Sequence, residues 1–277
     1  MIDCITNLHA GSGDETYGII DKRIQRDAAT DYPAIHASSL KGALREFIKF
    51  TYGKWLTSTQ QAQKENLISV QEFIKHIFGS EPDEATNTAQ GNYIFFGAQV
   101  LSIPVRSNKR PYYNATSLGL LNEFVAFCSN VSATIQDASV LTSIQLASKG
   151  KPRVFEGIPT ELILLESYPC EPSTLSETNL AVLQKHVGIN PAIFNDENFS
   201  ELLSHLPVIA RNHLENGKSE NLWYEEIVPR KSRFYFAIMT DTEDAHFKIF
   251  DELLTGSPVQ IGANATVGYG YCNITKI

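Results

Sequence analysis

The chain has 277 residues, 43% hydrophobic and 10% aromatic, with 23 Lys and Arg against 31 Asp and Glu for a net charge of −8. That length suits one large domain or two ordinary ones, and the lack of a long uncharged apolar run or an N-terminal signal pattern argues against a membrane span and against secretion. The acidic balance excludes a protein that coats nucleic acid indiscriminately. Charge is nevertheless uneven. Residues 21–54 carry basic residues at 22, 23, 26, 41, 45, 49 and 54 against acidic ones at 21, 27, 31 and 46, a local +3 within a remainder of −11. Cys4, Cys128, Cys170 and Cys272 form no C-x-x-C pair, so a zinc site has little support and they read as reduced, mostly buried thiols of a cytoplasmic protein.

Ile2 to Leu8 alternates weakly and predicts a first strand, ending at His9-Ala10-Gly11-Ser12-Gly13, a loop able to fold closely around a ligand. His9 is either a proton donor or acceptor or an ordinary strand-end histidine. In the stretch from Tyr17 to Arg26, Asp21 lies among Lys22, Arg23 and Arg26. It is a surface ion-pair partner or a carboxylate presented to a phosphodiester, able to hold a divalent metal or assist proton transfer, and composition does not choose between them.

Pro33 to Phe50 is the stretch around which the rest is organised. Ala34 to His36 is extended, Ser38 and Ser39 supply a cap, and Leu40, Ala43, Leu44, Phe47 and Ile48 make one apolar helical face. Lys41, Arg45 and Lys49 follow at i, i+4 on another face, which is either solvated or turned to a polyanion. Gly42 costs the helix roughly 1 kcal/mol relative to Ala, which suggests close approach of a ligand to the backbone there. The helix start adds free N–H groups and the positive end of the helix dipole.

Tyr52 to Ser58 reads as a connector, Gln60 to Phe78 as a second helix, residues 80–92 as a mobile loop and Tyr93 to Val105 as a strand bulged at Gly97. Residues 106–118 form a second basic cluster with two tyrosines, a nucleotide surface or a plain loop. Leu120 to Cys128 reads as helix. Within 129–160 the pattern is ambiguous, although Arg153 to Ile158 and Leu162 to Glu166 are candidate partner strands. Thr174 to Val187 and Asp196 to Leu206 predict peripheral helices, and Pro207 to Ala210 a short buried strand leading to Arg211. In 213–229 the Asn216-Gly217 pair predicts a tight turn between polar arms that should protrude, with Trp223 and Tyr224 either sticky or buried at its base. A strand at Ser232 to Thr240, a helix at Ala245 to Leu254 and a last strand starting at Val259 lead to Gly262, Gly268 and Gly270, where close backbone approach is expected.

In order along the chain, HAGSG, GIIDKRIQRD, IHASSLKGALR, LWYEEIVP and IGANATVGYGY resemble the backbone RAMP subunit of type III-B CRISPR effector complexes, the Cmr complexes. Residues 129–200 contribute little to the likeness. The resemblance implies an α+β chain, an RRM-like ferredoxin fold with insertions, as one domain over 1–277 with a protruding thumb hairpin at 211–229. It implies a subunit stacked as copies of itself in a filament with other type III-B subunits, binding CRISPR guide RNA and cutting complementary target RNA at regular intervals. On this likeness Asp21 is the residue of target cleavage and the ligand of a divalent metal, Mg, with His9 beside it. Ser39, Lys41 and Arg45 would hold guide phosphates, within an RNA-binding set that also takes Ser38, Lys49, Arg23, Arg26, Arg211, Gly268 and Gly270. A non-catalytic RNA-binding subunit and the equivalent subunit of a type III-A complex are the alternatives.

Overall fold

A computed structural model describes residues 1–13, 20–58, 67–80, 89–144, 150–155, 161–241 and 244–277. The first half contains β1 (Ile2–Cys4), β2 (Ala34–Ile35), α1 (Ala37–Ser58), α2 (Val70–Phe78), β3 (Ile94–Phe95), β4 (Ala98–Val105), β5 (Tyr113–Ser117), α3 (Leu118–Asn130) and α4 (Ala138–Thr142). Four short strands follow: β6 (Arg153–Val154), β7 (Leu164–Leu165), β8 (Tyr168–Pro169) and β9 (Glu171–Pro172). The rest comprises α5 (Glu177–Val187), β10 (Pro191–Phe194), α6 (Asp196–Ser204), β11 (Val208–Glu215), β12 (Lys218–Glu226), β13 (Arg233–Tyr235), β14 (Ile238–Met239), α7 (Phe247–Gly256), β15 (Val259–Gln260) and β16 (Tyr271–Ile274).

A mixed sheet runs β15-β16-β1-β13-β4-β5-β10-β6-β9, with β2 also paired to β4. Its left part, β16-β1-β13-β4, is antiparallel throughout, whereas β5 and β10 pair in parallel, as do β6 and β9. Successive side chains of a strand point to opposite faces, so neighbours enter different layers. Phe234 and Tyr235 part in this way, as do Phe194 and Ile193. One layer takes Leu40, Leu44, Ile48 and Tyr52 of α1, Phe73 and Ile77 of α2 and Phe250 of α7. The other takes Leu121, Phe124 and Cys128 of α3 with Leu183 and Val187 of α5. Tyr52 and Phe73 stack at 3.9 Å between ring centres, which ties α1 to α2.

Several expectations meet a different structure. Tyr52 to Ser58 is no connector: α1 continues to Ser58, because Tyr52 is buried and its hydroxyl donates to Ile68 O at 3.0 Å. The second helix starts at Val70, where Ser69 and Glu72 form a reciprocal capping box; residues 60–66 of that expected helix lie outside the described residues, as do 81–88 of the expected mobile loop. Tyr113 to Ser117, read within a surface cluster, is a wholly buried strand. The segments at 153 and 162 do not pair with each other; β6 joins β10 and β9, and β7 joins β8, while residues 156–160 are outside the described set. Val208 to Ala210 is an exposed arm of the hairpin, with Val208 41% accessible, so that strand is neither separate nor buried. The hairpin therefore spans Val208–Glu226, longer at its first arm than the sequence indicates. Asn216 and Gly217 both have positive φ, 51° and 78°, the combination a two-residue turn needs to follow the strand twist. Four free cysteines are all buried. Among the described residues no helix is long and apolar enough to cross a membrane.

Candidate nucleic-acid interface

Three segments meet at the hairpin root. Residues 7–11, 21–26 and 223–228 are joined by backbone bridges between Leu8 and Val228, Gly11 and Ile24, and Lys22 and Glu225. The same middle segment turns to α1, where Gln25 N donates to Ala10 O at 2.7 Å and Ala34 N donates to Gln25 O at 3.0 Å. Between the start of α1 and the loops at 10–11 and 260–263 opens a groove of about 630 Å³. Gln25, Ser38, Ser39, Gly42 and Glu46 line one part, and Gly11, Gln260, Gly262 and Ala263 line the other. A Cβ at Gly42 would meet nothing within 4 Å, so the missing side chain is open space facing this groove. Gly262 has a different reason: with φ at +84°, a Cβ there would lie 2.4 Å from His9 O, so only glycine lets these two loops close the groove wall.

At the hairpin root the carboxylates are organised by donors. Asp21 Oδ2 accepts Tyr224 N–H at 2.7 Å, while Asp21 N and Lys22 N both donate to Tyr224 O at 3.1 Å. The carboxylate is thereby oriented and half-buried at the joint between the loop and β12. Glu225, one residue on, is buried and accepts from Trp223 Nε1 at 2.8 Å, Asn264 Nδ2 at 2.9 Å and Arg211 Nε at 3.1 Å, with Lys22 Nζ at 3.6 Å. Burial by itself would raise this carboxyl; the Trp223 bond and the charges of Arg211, His9 and Lys22 outweigh it and hold the group below the ordinary glutamate range. Glu226 points the other way, accepting from Arg26 Nη2 at 2.5 Å and from Ile24 N at 3.2 Å.

The expected site residues are thus divided. Ser38 and Ser39 line the groove. Lys41 and Arg45 do not: Lys41 Nζ lies over the Phe95 ring at 5.7 Å, and Arg45 Nη2 donates to Gly79 O at 3.1 Å. One residue is about 100° of helical rotation, so the row 41, 45, 49 flanks the line 42, 46 rather than coinciding with it. Lys49 is exposed, as is Arg23, whose backbone carbonyl accepts Ser12 N at 3.0 Å. Arg26 is engaged inside the protein by Glu226, Leu203 O and Asp31 O, with its side chain 12% accessible. Arg211 lies 4.5 Å from the Tyr269 ring centre and is held by Glu225. Gly268 is exposed at the end of a 3-10 turn, whereas Gly270 is buried and a Cβ there would come within 2.0 Å of Ile261 O. His9 is 3% accessible; its Nδ1 lies 2.7 Å from Glu226 O, which only accepts, so Nδ1 carries the proton and Nε2 faces Gly11. Gln25, Tyr269 and Asn264 escape sequence reasoning. Two consecutive glutamates running into buried Ile227 and Val228 were the available sign that buried cations would be needed.

Among the described residues no group of three His, Cys, Asp or Glu side chains is arranged to hold a metal ion. Asp21, with one oxygen already bonded to Tyr224 N–H, is a single ligand and does not by itself make a divalent site.

The chain is thus built on a mixed sheet, with a long exposed hairpin rooted beside a glycine-walled groove. The model of the RAMP superfamily matches residues 1–273, and the chain belongs to that superfamily. It is 29% identical, over 98% of its length and 92% of the relative's, to the CRISPR system Cmr endoribonuclease Cmr4 of Pyrococcus furiosus. Its fold is similar to a chain of the type III-B Cmr-beta complex bound to cognate target RNA, with a TM-score of 0.76 at 23% identity, covering 98% of this chain and 94% of that one. It is also similar to oligomeric Cmr4 from Pyrococcus furiosus, with a TM-score of 0.68 at 25% identity, covering 99% and 95%.

Proposed function

We propose that the chain is a repeated backbone subunit of a type III-B CRISPR ribonucleoprotein, which binds guide RNA in the Ser39 groove and cuts complementary target RNA at Asp21. The observation that carries this reading is the continuity of residues 21–26, which form the groove floor at Gln25 and the hairpin root at Asp21. The relative from Pyrococcus furiosus is named an endoribonuclease, and the similar Cmr-beta structure holds target RNA. The antiparallel order β16-β1-β13-β4, with α1 and α7 as crossovers, supports an RRM-like ferredoxin core to which the remaining elements are insertions in one domain. The β11–β12 hairpin is then the thumb that separates guide from target, and copies of the chain stack along the guide with other complex subunits.

The groove recognises backbone rather than bases. Hydroxyls, first-turn N–H groups and close glycine loops suit phosphate and ribose, and the flanking Lys and Arg side chains add long-range attraction. Among the described residues Glu46 is the one charged residue lining the groove, so direct charge pairing is not its main chemistry. For cleavage, the RNA's own 2′-hydroxyl is the nucleophile: its oxygen bonds the adjacent phosphorus as the P–O5′ bond breaks, and the departing 5′-oxygen takes a proton from water, leaving a 2′,3′-cyclic phosphate and a 5′-hydroxyl. Asp21 Oδ2 is fixed by Tyr224 N–H, which leaves Oδ1 to accept the hydroxyl proton or to orient it for in-line attack. His9 acts through its bond to the hairpin backbone. A Mg ion engaged at Asp21 would take most of its shell from RNA oxygens and water. The burial of His9 favours one second reading, a non-catalytic RNA-binding subunit.

Two measurements test the groove. Affinity for single-stranded RNA should fall with salt at a log–log slope of about 0.7 per phosphate neutralised and should be indifferent to base sequence; a flat salt response removes the electrostatic part of the reading. Gly42→Ala should raise thermal stability by about 0.5–1 kcal/mol, since the site is exposed, helical and sterically open, and should weaken RNA binding several-fold. A stabilised variant with unchanged affinity would show that nothing approaches the helix at residue 42.

A further inference from the structure

We propose that Gln25 is a positioning residue that turns the Ser39 hydroxyl into an obligatory hydrogen-bond donor aimed into the groove, where it takes a non-bridging phosphate oxygen. This rests on the reading of the groove as the RNA-backbone site. Gln25 is 7% accessible, and its amide makes three bonds. Oε1 accepts His36 N–H at 2.7 Å, while Nε2 donates to Gly11 O at 3.0 Å and to Ser39 Oγ at 2.8 Å.

The network leaves no alternative orientation. His36 N–H can only donate and the Gly11 carbonyl can only accept, so a flipped amide would set donor against donor and acceptor against acceptor. Nε2 therefore faces Ser39, and Ser39 Oγ must accept. A hydroxyl has one proton to give. Since one of its lone pairs is taken by Gln25, and no acceptor for its proton is found among the described residues, that proton is available to a ligand in the groove that Ser39 lines. The same amide ties the Gly11 loop to the first turn of α1, so the two walls of the groove and the polarity of its hydroxyl are set by one side chain.

The test is a double-substitution cycle on the full chain, read as the dissociation constant of a labelled single-stranded RNA, with melting temperature recorded for each variant. Ser39→Ala should weaken binding about tenfold, the size of one hydrogen bond to a charged group. Gln25→Glu should weaken it comparably, because a carboxylate at position 25 still accepts His36 N–H but draws the Ser39 proton inward. Gln25→Met, which removes the amide without adding charge, guards against repulsion as the cause. In the Ser39→Ala background either Gln25 substitution should cost less than about twofold further. Additive losses would overturn the proposal, because they would show that Gln25 only shapes the loop. No effect of Ser39→Ala would overturn the groove reading as well, which separates the two failures. A strand of the same sequence with 2′-deoxy sugars should keep the Ser39 dependence, whereas one with methylphosphonate linkages should lose it; the opposite pattern would make the acceptor a ribose oxygen and reject the phosphate assignment.

Discussion

Replacing Asp21 by Asn should lower target cutting by about 100-fold or more in the assembled complex while leaving guide binding and assembly within about twofold, the scale expected when a positioned acid–base group is lost. Asn is the informative substitution. Its amide oxygen can still accept Tyr224 N–H, so the hairpin root is retained and only the charge and basicity are removed. Asp21→Ala removes the acceptor too and should show a small additional loss of stability, since Tyr224 N–H is then left to water at an exposed joint. Cleavage is to be followed as product bands from a labelled complementary RNA. Intact cutting by both variants would leave the non-catalytic subunit as the correct reading.

Glu226→Ala should be among the most destabilising single changes in the chain. The carboxylate is buried and joins three parts of the fold, accepting from Arg26 of the loop before β2 and from Ile24 N while it sits at the end of β12; Arg26 also donates to Leu203 O of α6. Its removal leaves a buried guanidinium without its counter-charge, a loss of about 3–5 kcal/mol, which for a chain of this size lowers the melting temperature by roughly 10 °C. Replacing both members with apolar residues, Arg26→Met with Glu226→Leu, should recover most of that loss, because the cost lies in the unpaired charge. A Glu226→Ala variant that melts within 2 °C of the parent, the scale of about 1 kcal/mol or less, would mean that the pair is solvated in solution.

What the sequence disclosed follows the physics of each segment. The α1 helix and the open space at Gly42 are local properties, written in periodicity and in one misplaced glycine, and they were legible, as was the Asn216-Gly217 turn. The expected serine cap is not there, because α1 already begins at Ala37 and holds Ser38 and Ser39 within its first turn. Resemblance brought Asp21 forward, where composition left it undecided. The role of Arg26 was not legible, because an arginine among cations looks exposed until Glu226, 200 residues later, is folded against it. The buried strand Tyr113–Ser117 was hidden for a similar reason: its burial comes from parallel pairing with β10, a contact with no local signature. The spacing of Lys41, Arg45 and Lys49 specifies a cationic row on α1, but its direction depends on α2 and β3, which draw Arg45 to Gly79 and Lys41 to Phe95.

The central claim is that RNA backbone lies in the groove between the start of α1 and the glycine loops. Its most direct measurement is photo-crosslinking of a 4-thiouridine guide RNA to the full chain, with the attached peptides identified by mass spectrometry. Crosslinks are expected in peptides containing residues 10–13, 38–47 and 260–269. Crosslinks confined instead to the cleft around Arg106, Tyr168 and Arg230 would contradict it.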